Sequence, residues 1–76
     1  MSKLTIISDK DMVKLLKSLG FAEIRQNGSH KFFANDNGLS TVVPFHNADL
    51  KRSLIRLILT DIQITVSEYE KLRRNI

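Results

Sequence analysis

Residues Arg25–Phe33 read RQNGSHKFF, and the Asn27-Gly28 pair inside this stretch separates two strand-length runs. FAEIRQ occupies 21–26 and SHKFFA occupies 29–34. Asn-Gly is the strongest short signal for a two-residue type I′ hairpin, because both central positions need positive φ. A turn at 27–28 sets Arg25 across from His30 and Glu23 across from Phe32. Alternation then gathers these four on one face and leaves Ala22, Ile24, Lys31 and Phe33 on the other.

Working outward, NDNG at 35–38 leads into LSTVV at 39–43, and Pro44 ends that run. Three antiparallel strands in a meander are therefore expected. Upstream, Ser8 and Asp11 have N-cap and N3 spacing, an acidic variant of the capping box, and Ile7 is placed to staple onto Met12. Met12, Leu15, Leu16 and Leu19 share one helical face, and Gly20 supplies a left-handed stop. A helix over 9–19 follows. Downstream, Leu54, Ile55, Ile58 and Ile62 share a face of a second helix that begins between Asp49 and Ser53. Thr65 and Glu68 form another capping box, with Val66, Tyr69, Leu72 and Ile76 at helical spacing, for a short terminal helix over about 66–74. The expected fold class is α+β. It is a two-layer α-β-β-β-α sandwich with a short extra C-terminal helix and helices over one face of the sheet.

The chain of 76 residues shows no repeat, low-complexity tract or linker, so one domain over 1–76 is expected. It holds no cysteine, which excludes disulfides, thiolate chemistry and Cys-based zinc sites. Its His, Asp and Glu show no metal-ligand spacing, so neither metal nor cofactor is expected. Nothing near the N-terminus reads as a signal peptide and no apolar run reaches membrane-spanning length, which predicts a cytoplasmic protein with no membrane partner. The net charge of +4 and pI near 9.8 favour a polyanionic partner, nucleic acid first.

His30 is the chemically suggestive residue. Imidazole is the usual general base near neutral pH. The guanidinium of Arg25 matches phosphate oxygens and would steady the charge growing on them. RNA brings its own nucleophile, the 2′-hydroxyl, so attack on a phosphodiester needs no metal and no protein nucleophile. The bland alternative is a polar residue beside a turn, with Arg25 in a cross-strand ion pair.

The residues Gly20-Phe21, Arg25, Gly28-Ser29-His30, Phe33, Gly38, Val43-Pro44, His46-Asn47, Asp49-Leu50-Lys51 and Arg56 with Ile58-Leu59 together resemble the HicA family, the toxins of HicAB toxin–antitoxin systems. The resemblance runs from about Met12 to Tyr69. It implies a fold like double-stranded-RNA-binding domains and a metal-independent endoribonuclease, an mRNA interferase. His30 would be its catalytic residue and a HicB-type antitoxin its neutralising partner, with higher-order toxin–antitoxin complexes as an option. The setting would be prokaryotic cytoplasm. The chain departs from the family at Ser53-Leu54, where Gly-Thr is common, and at Gln63, where a glycine tends to stand.

Other residues take supporting roles in this expectation. Ser29 either orients the imidazole or satisfies the turn backbone. Lys31 points away from His30 and is a candidate RNA-backbone contact only. His46, the second imidazole, is a structural or phosphate-contacting residue rather than the acid. Lys10, Lys14 and Lys17 form a stripe that would meet an RNA minor groove in such a fold, and Lys51, Arg52 and Arg56 form a second basic group. The apolar excess of LKRSLIRLIL, including Leu57, predicts an exposed patch for a partner. The main alternative function is a non-catalytic double-stranded-RNA-binding module.

Overall fold

The first helix forms where local chemistry stops the chain from doing anything else. In the computed structural model, which describes residues 3–76, α1 spans Asp9–Ser18, and the Ser8 hydroxyl accepts from the Asp11 N–H at 3.1 Å. That bond satisfies one of the donors orphaned at a helix start. Met12, Leu15 and Leu16 are buried on one face, while Lys10, Lys14 and Lys17 are exposed on the other.

Three strands follow, β1 (Ala22–Asn27), β2 (His30–Ala34) and β3 (Ser40–Pro44), antiparallel in the order β1-β2-β3. Two helices close the chain, α2 (Arg52–Ile62) and α3 (Val66–Arg73). The order and the open three-stranded sheet are those read from the sequence. α1 and α2 pack on the face that carries Phe33, Thr41 and Val43, all buried. Among the described residues no helix covers the opposite face, with His30, Phe32 and Val42, which stays exposed or half-buried.

The hairpin register differs from the expected one. Asn27 is the last residue of β1 and pairs with His30, so the two loop residues are Gly28-Ser29. Gly28 has φ +61°, whereas Asn27 is not in the left-handed region. Asn-Gly-Ser holds two overlapping turn signals, Asn-Gly for type I′ and Gly-Ser for type II′, which needs positive φ only at its first position. The second prevails. Arg25 therefore faces Phe32 rather than His30, and a bulge between Glu23 and Arg25 puts Glu23 opposite Phe33. Arg25, His30 and Phe32 still share a face, because the shift at Arg25 is two residues. Glu23 leaves that face, and Ile24, expected beside Phe33, sits at the bulge 61% exposed.

The C-terminal half meets most of its expectations. α2 begins at Arg52 behind Lys51, and Ile55, Ile58, Leu59 and Ile62 are buried on its inner face. Leu50 is also buried and Leu54 half-buried, so Leu57 is the exposed residue of the expected apolar excess. No broad patch results. α3 packs chiefly against α1 and the N-terminal segment. Its capping box is complete, with Thr65 and Glu68 each accepting from the other's N–H.

Candidate functional site on the open sheet face

His30 opens β2 and is exposed on the uncovered face. It lies in register between Asn27 in β1 and Pro44 in β3. The Phe45 N–H extends the ladder one step further by donating to the Ser29 carbonyl at 2.6 Å. An exposed imidazole is thus carried on a strand with neighbours in register on both sides.

Arg25 is His30's diagonal neighbour, an offset of about 7–8 Å between such positions. Its guanidinium lies 4.2 Å from the Phe32 ring centroid, a cation–π contact. Among the described residues it makes no ion pair; the two present are Lys31–Glu23 at 3.4 Å and Arg73–Glu70 at 2.8 Å. The cross-strand ion pair considered for Arg25 is not formed. No carboxylate among the described residues neutralises its charge.

Lys31 lies on the opposite face, with Gln26 and Val43 as register partners. Its ammonium sits 4.5 Å from the Phe45 ring centroid and pairs with Glu23. Ser29 contributes its carbonyl to the ladder, and its hydroxyl has no hydrogen bond among the described residues.

His46 comes to the same end of the sheet as His30, since it follows Phe45, the residue bonded to Ser29. Its side chain is exposed and its N–H donates to Asp9 Oδ2 at 2.7 Å. Asp9 also accepts from the Ala48 N–H at 3.2 Å, and its own N–H donates to the Ala48 carbonyl at 3.0 Å. Burial pushes the Asp9 carboxyl upward, but donors from Ala48, His46, Lys10 and Asn47 outweigh it and hold the group below the usual carboxylate range. Pairing with backbone donors distant in sequence leaves no spacing to read, so sequence reasoning passes over this residue.

The loop borders a cleft of about 250 Å³ lined by Asp9, Pro44, His46, Leu50 and Leu54 among others. The basic residues outside the sheet are spread apart. Lys10, Lys14 and Lys17 project from α1, in the layer behind the sheet as seen from His30, while Lys51, Arg52 and Arg56 are exposed around the start of α2. Arg52 Nε also donates to the Leu4 carbonyl at 3.4 Å.

Among the described residues no three His, Asp or Glu side chains converge, and no helix is long and apolar enough to cross a membrane. Comparison with family models matches residues 10–64 to the model described as the HicA toxin of bacterial toxin–antitoxin systems. No curated protein matches the chain.

Proposed function

The chain belongs to the HicA toxin family of bacterial toxin–antitoxin systems, and from that premise we propose that it is an mRNA-cleaving endoribonuclease with His30 as general base. The proton of a ribose 2′-hydroxyl passes to the imidazole while its oxygen bonds to phosphorus. The bond from phosphorus to the 5′-oxygen breaks, leaving a 2′,3′-cyclic phosphate, and the departing oxygen takes a proton from water. Arg25 steadies charge on the phosphate oxygens, and His46 contacts the backbone from the adjoining loop. The nucleophile comes from the substrate, so the reaction requires no metal.

One observation carries this reading above a binding role. The imidazole is exposed on a strand with neighbours in register on both sides, and a guanidinium that no carboxylate neutralises among the described residues shares its face. Binding alone gives no reason to hold a base there. A HicB-type antitoxin is the proposed partner, and it silences the toxin by covering this face. Bacterial cytoplasm, where mRNA is found, is the proposed setting.

His30→Ala tests the assignment. Cleavage should fall by roughly 10²–10⁴-fold, the usual worth of a positioned general base, and growth arrest on induction should disappear. Affinity for an uncleavable RNA analogue should remain. Cleavage by the unaltered protein should persist in excess EDTA. An alanine variant that still arrests growth would end the enzyme reading. Duplex binding lost with Lys14 and Lys17, and no cleavage by the unaltered protein, would support the double-stranded-RNA-binding module instead.

A further inference from the structure

We propose that the open sheet face is a platform for one unpaired nucleotide, with the Arg25–Phe32 pair as its stacking surface beside His30, and that the substrate is single-stranded RNA. The inference rests on the nuclease reading and names its substrate class.

The platform is built by the register. Phe32 is the direct cross-strand partner of Arg25, and the guanidinium lies over the ring at 4.2 Å. A planar cation backed by an aromatic ring, with Arg25 itself exposed, offers a flat surface of the kind on which unpaired bases stack. Half-buried Val42, the β3 partner of Phe32, flanks it. That apolar surround suits the faces of a base better than a phosphate group alone.

Charge agrees with this occupant. Pairing places Ala22, Arg25, Asn27, His30 and Phe32 together, with no carboxylate among them. The bulge turns Glu23, the nearest acidic residue in β1, to the other side, where it pairs with Lys31. The face therefore presents a cation, an imidazole and apolar surface to a polyanion.

Geometry argues against a duplex. His30 and Phe32 are two residues apart on one strand, a separation of about 6.8 Å. That puts a base on the pair and its adjoining phosphodiester at His30, an arrangement that needs the base splayed out of a helix. In-line attack by the 2′-hydroxyl likewise needs a nucleotide released from A-form stacking. The lysine stripe that would suit a minor groove projects from α1, away from this face.

The test uses the full chain and 2′-O-methyl oligonucleotides, which bind without being cut, carrying 2-aminopurine as a stacking reporter. The single strand should bind more tightly than the same sequence in a duplex and should show quenched fluorescence. Phe32→Leu should weaken single-strand binding roughly ten-fold, the order expected for one stacked base, and relieve the quenching. Arg25→Lys, which keeps the charge but not the plane, should relieve the quenching while leaving the salt dependence of binding unchanged. Phe32→Tyr, which keeps the ring, should retain both properties and separates stacking from folding. Equal affinity for duplex and single strand, or unaltered quenching in the first two variants, would overturn the proposal. Unaltered RNA binding with lost antitoxin capture in those variants would also overturn it and give the face to a protein partner. Failure of these arms with cleavage still dependent on His30 would remove the platform alone, whereas cleavage independent of His30 would remove the nuclease assignment beneath it.

Discussion

Asp9 carries no signature beyond its place after an N-cap serine, yet it is 1% exposed and reaches residues nearly forty positions away. Its Oδ2 collects the His46 and Ala48 N–H groups, while Oδ1 is buried with no partner among the described residues. A carboxylate suits both halves of this arrangement, since it accepts only and lies at the start of α1, where the helix dipole favours negative charge. Asp9→Asn would weaken the bonds at Oδ2 and direct an amide donor into a site with no acceptor. Charge-assisted hydrogen bonds to buried groups contribute about 1.5–3 kcal/mol, so a loss of about 2 kcal/mol is expected, a fall in Tm on the order of 10 °C for a domain this small. Thermal unfolding followed by circular dichroism checks it; a variant that melts with the unaltered protein would show that Asp9 does not hold the His46 loop.

At the scale of elements, what the sequence reveals depends on whether the deciding interactions are local. The Ser8 N-cap, the Thr65–Glu68 capping box and the face of α1 are legible because their partners lie within one or two helical turns. The reciprocal bond from Asp11 expected at Ser8 is not among the hydrogen bonds of the described residues. The hairpin is legible as a hairpin but not in its register. All six residues of β1 are exposed, so no buried face penalises a slip, and the choice falls to the turn and the bulge. The shared face of Arg25 and His30 survives the slip; their direct pairing does not. Gln63 gives a third case. This departure from the family's usual glycine stands at the end of α2 with φ 59° and ψ 45°, the left-handed conformation in which a side chain is crowded. Gln63→Gly should therefore stabilise the protein by about 0.5–1 kcal/mol, the left-handed cost of about 1–2 kcal/mol less glycine's extra backbone entropy of about 0.5–1 kcal/mol, read as a higher urea midpoint at unchanged slope. A lower midpoint would mean that the glutamine side chain offsets its backbone strain.

The whole molecule is closed by contacts between its two ends, which no periodicity announces. Glu70 in α3 accepts the Thr5 N–H at 2.8 Å, the Thr5 hydroxyl at 3.0 Å and Arg73 Nε at 2.8 Å. Tyr69, fully buried beside it, donates its hydroxyl to the Thr5 carbonyl. The backbone donor from Thr5 leads the effects that hold Glu70 below the usual carboxylate range, and Asp9 is depressed as well. A carboxyl whose folded pKa is lowered contributes stability that is present above its unfolded value and lost as pH falls through the folded one. Tyr69 has the opposite sign: burial first, then the charge of Glu70, raises it to about 12, so its contribution holds below the ordinary tyrosine value of about 10 and is lost as pH rises towards 12. The urea midpoint should therefore be flat through neutrality and decline below about pH 5 as both carboxyls protonate. Glu70→Gln should lower the neutral plateau and make the acid decline shallower, because one of the two titrating groups is gone. Midpoints collected from pH 8 to pH 2 for both proteins decide the matter: parallel acid limbs would mean that the clasp between Thr5 and α3 plays no part in holding the two ends of the chain together.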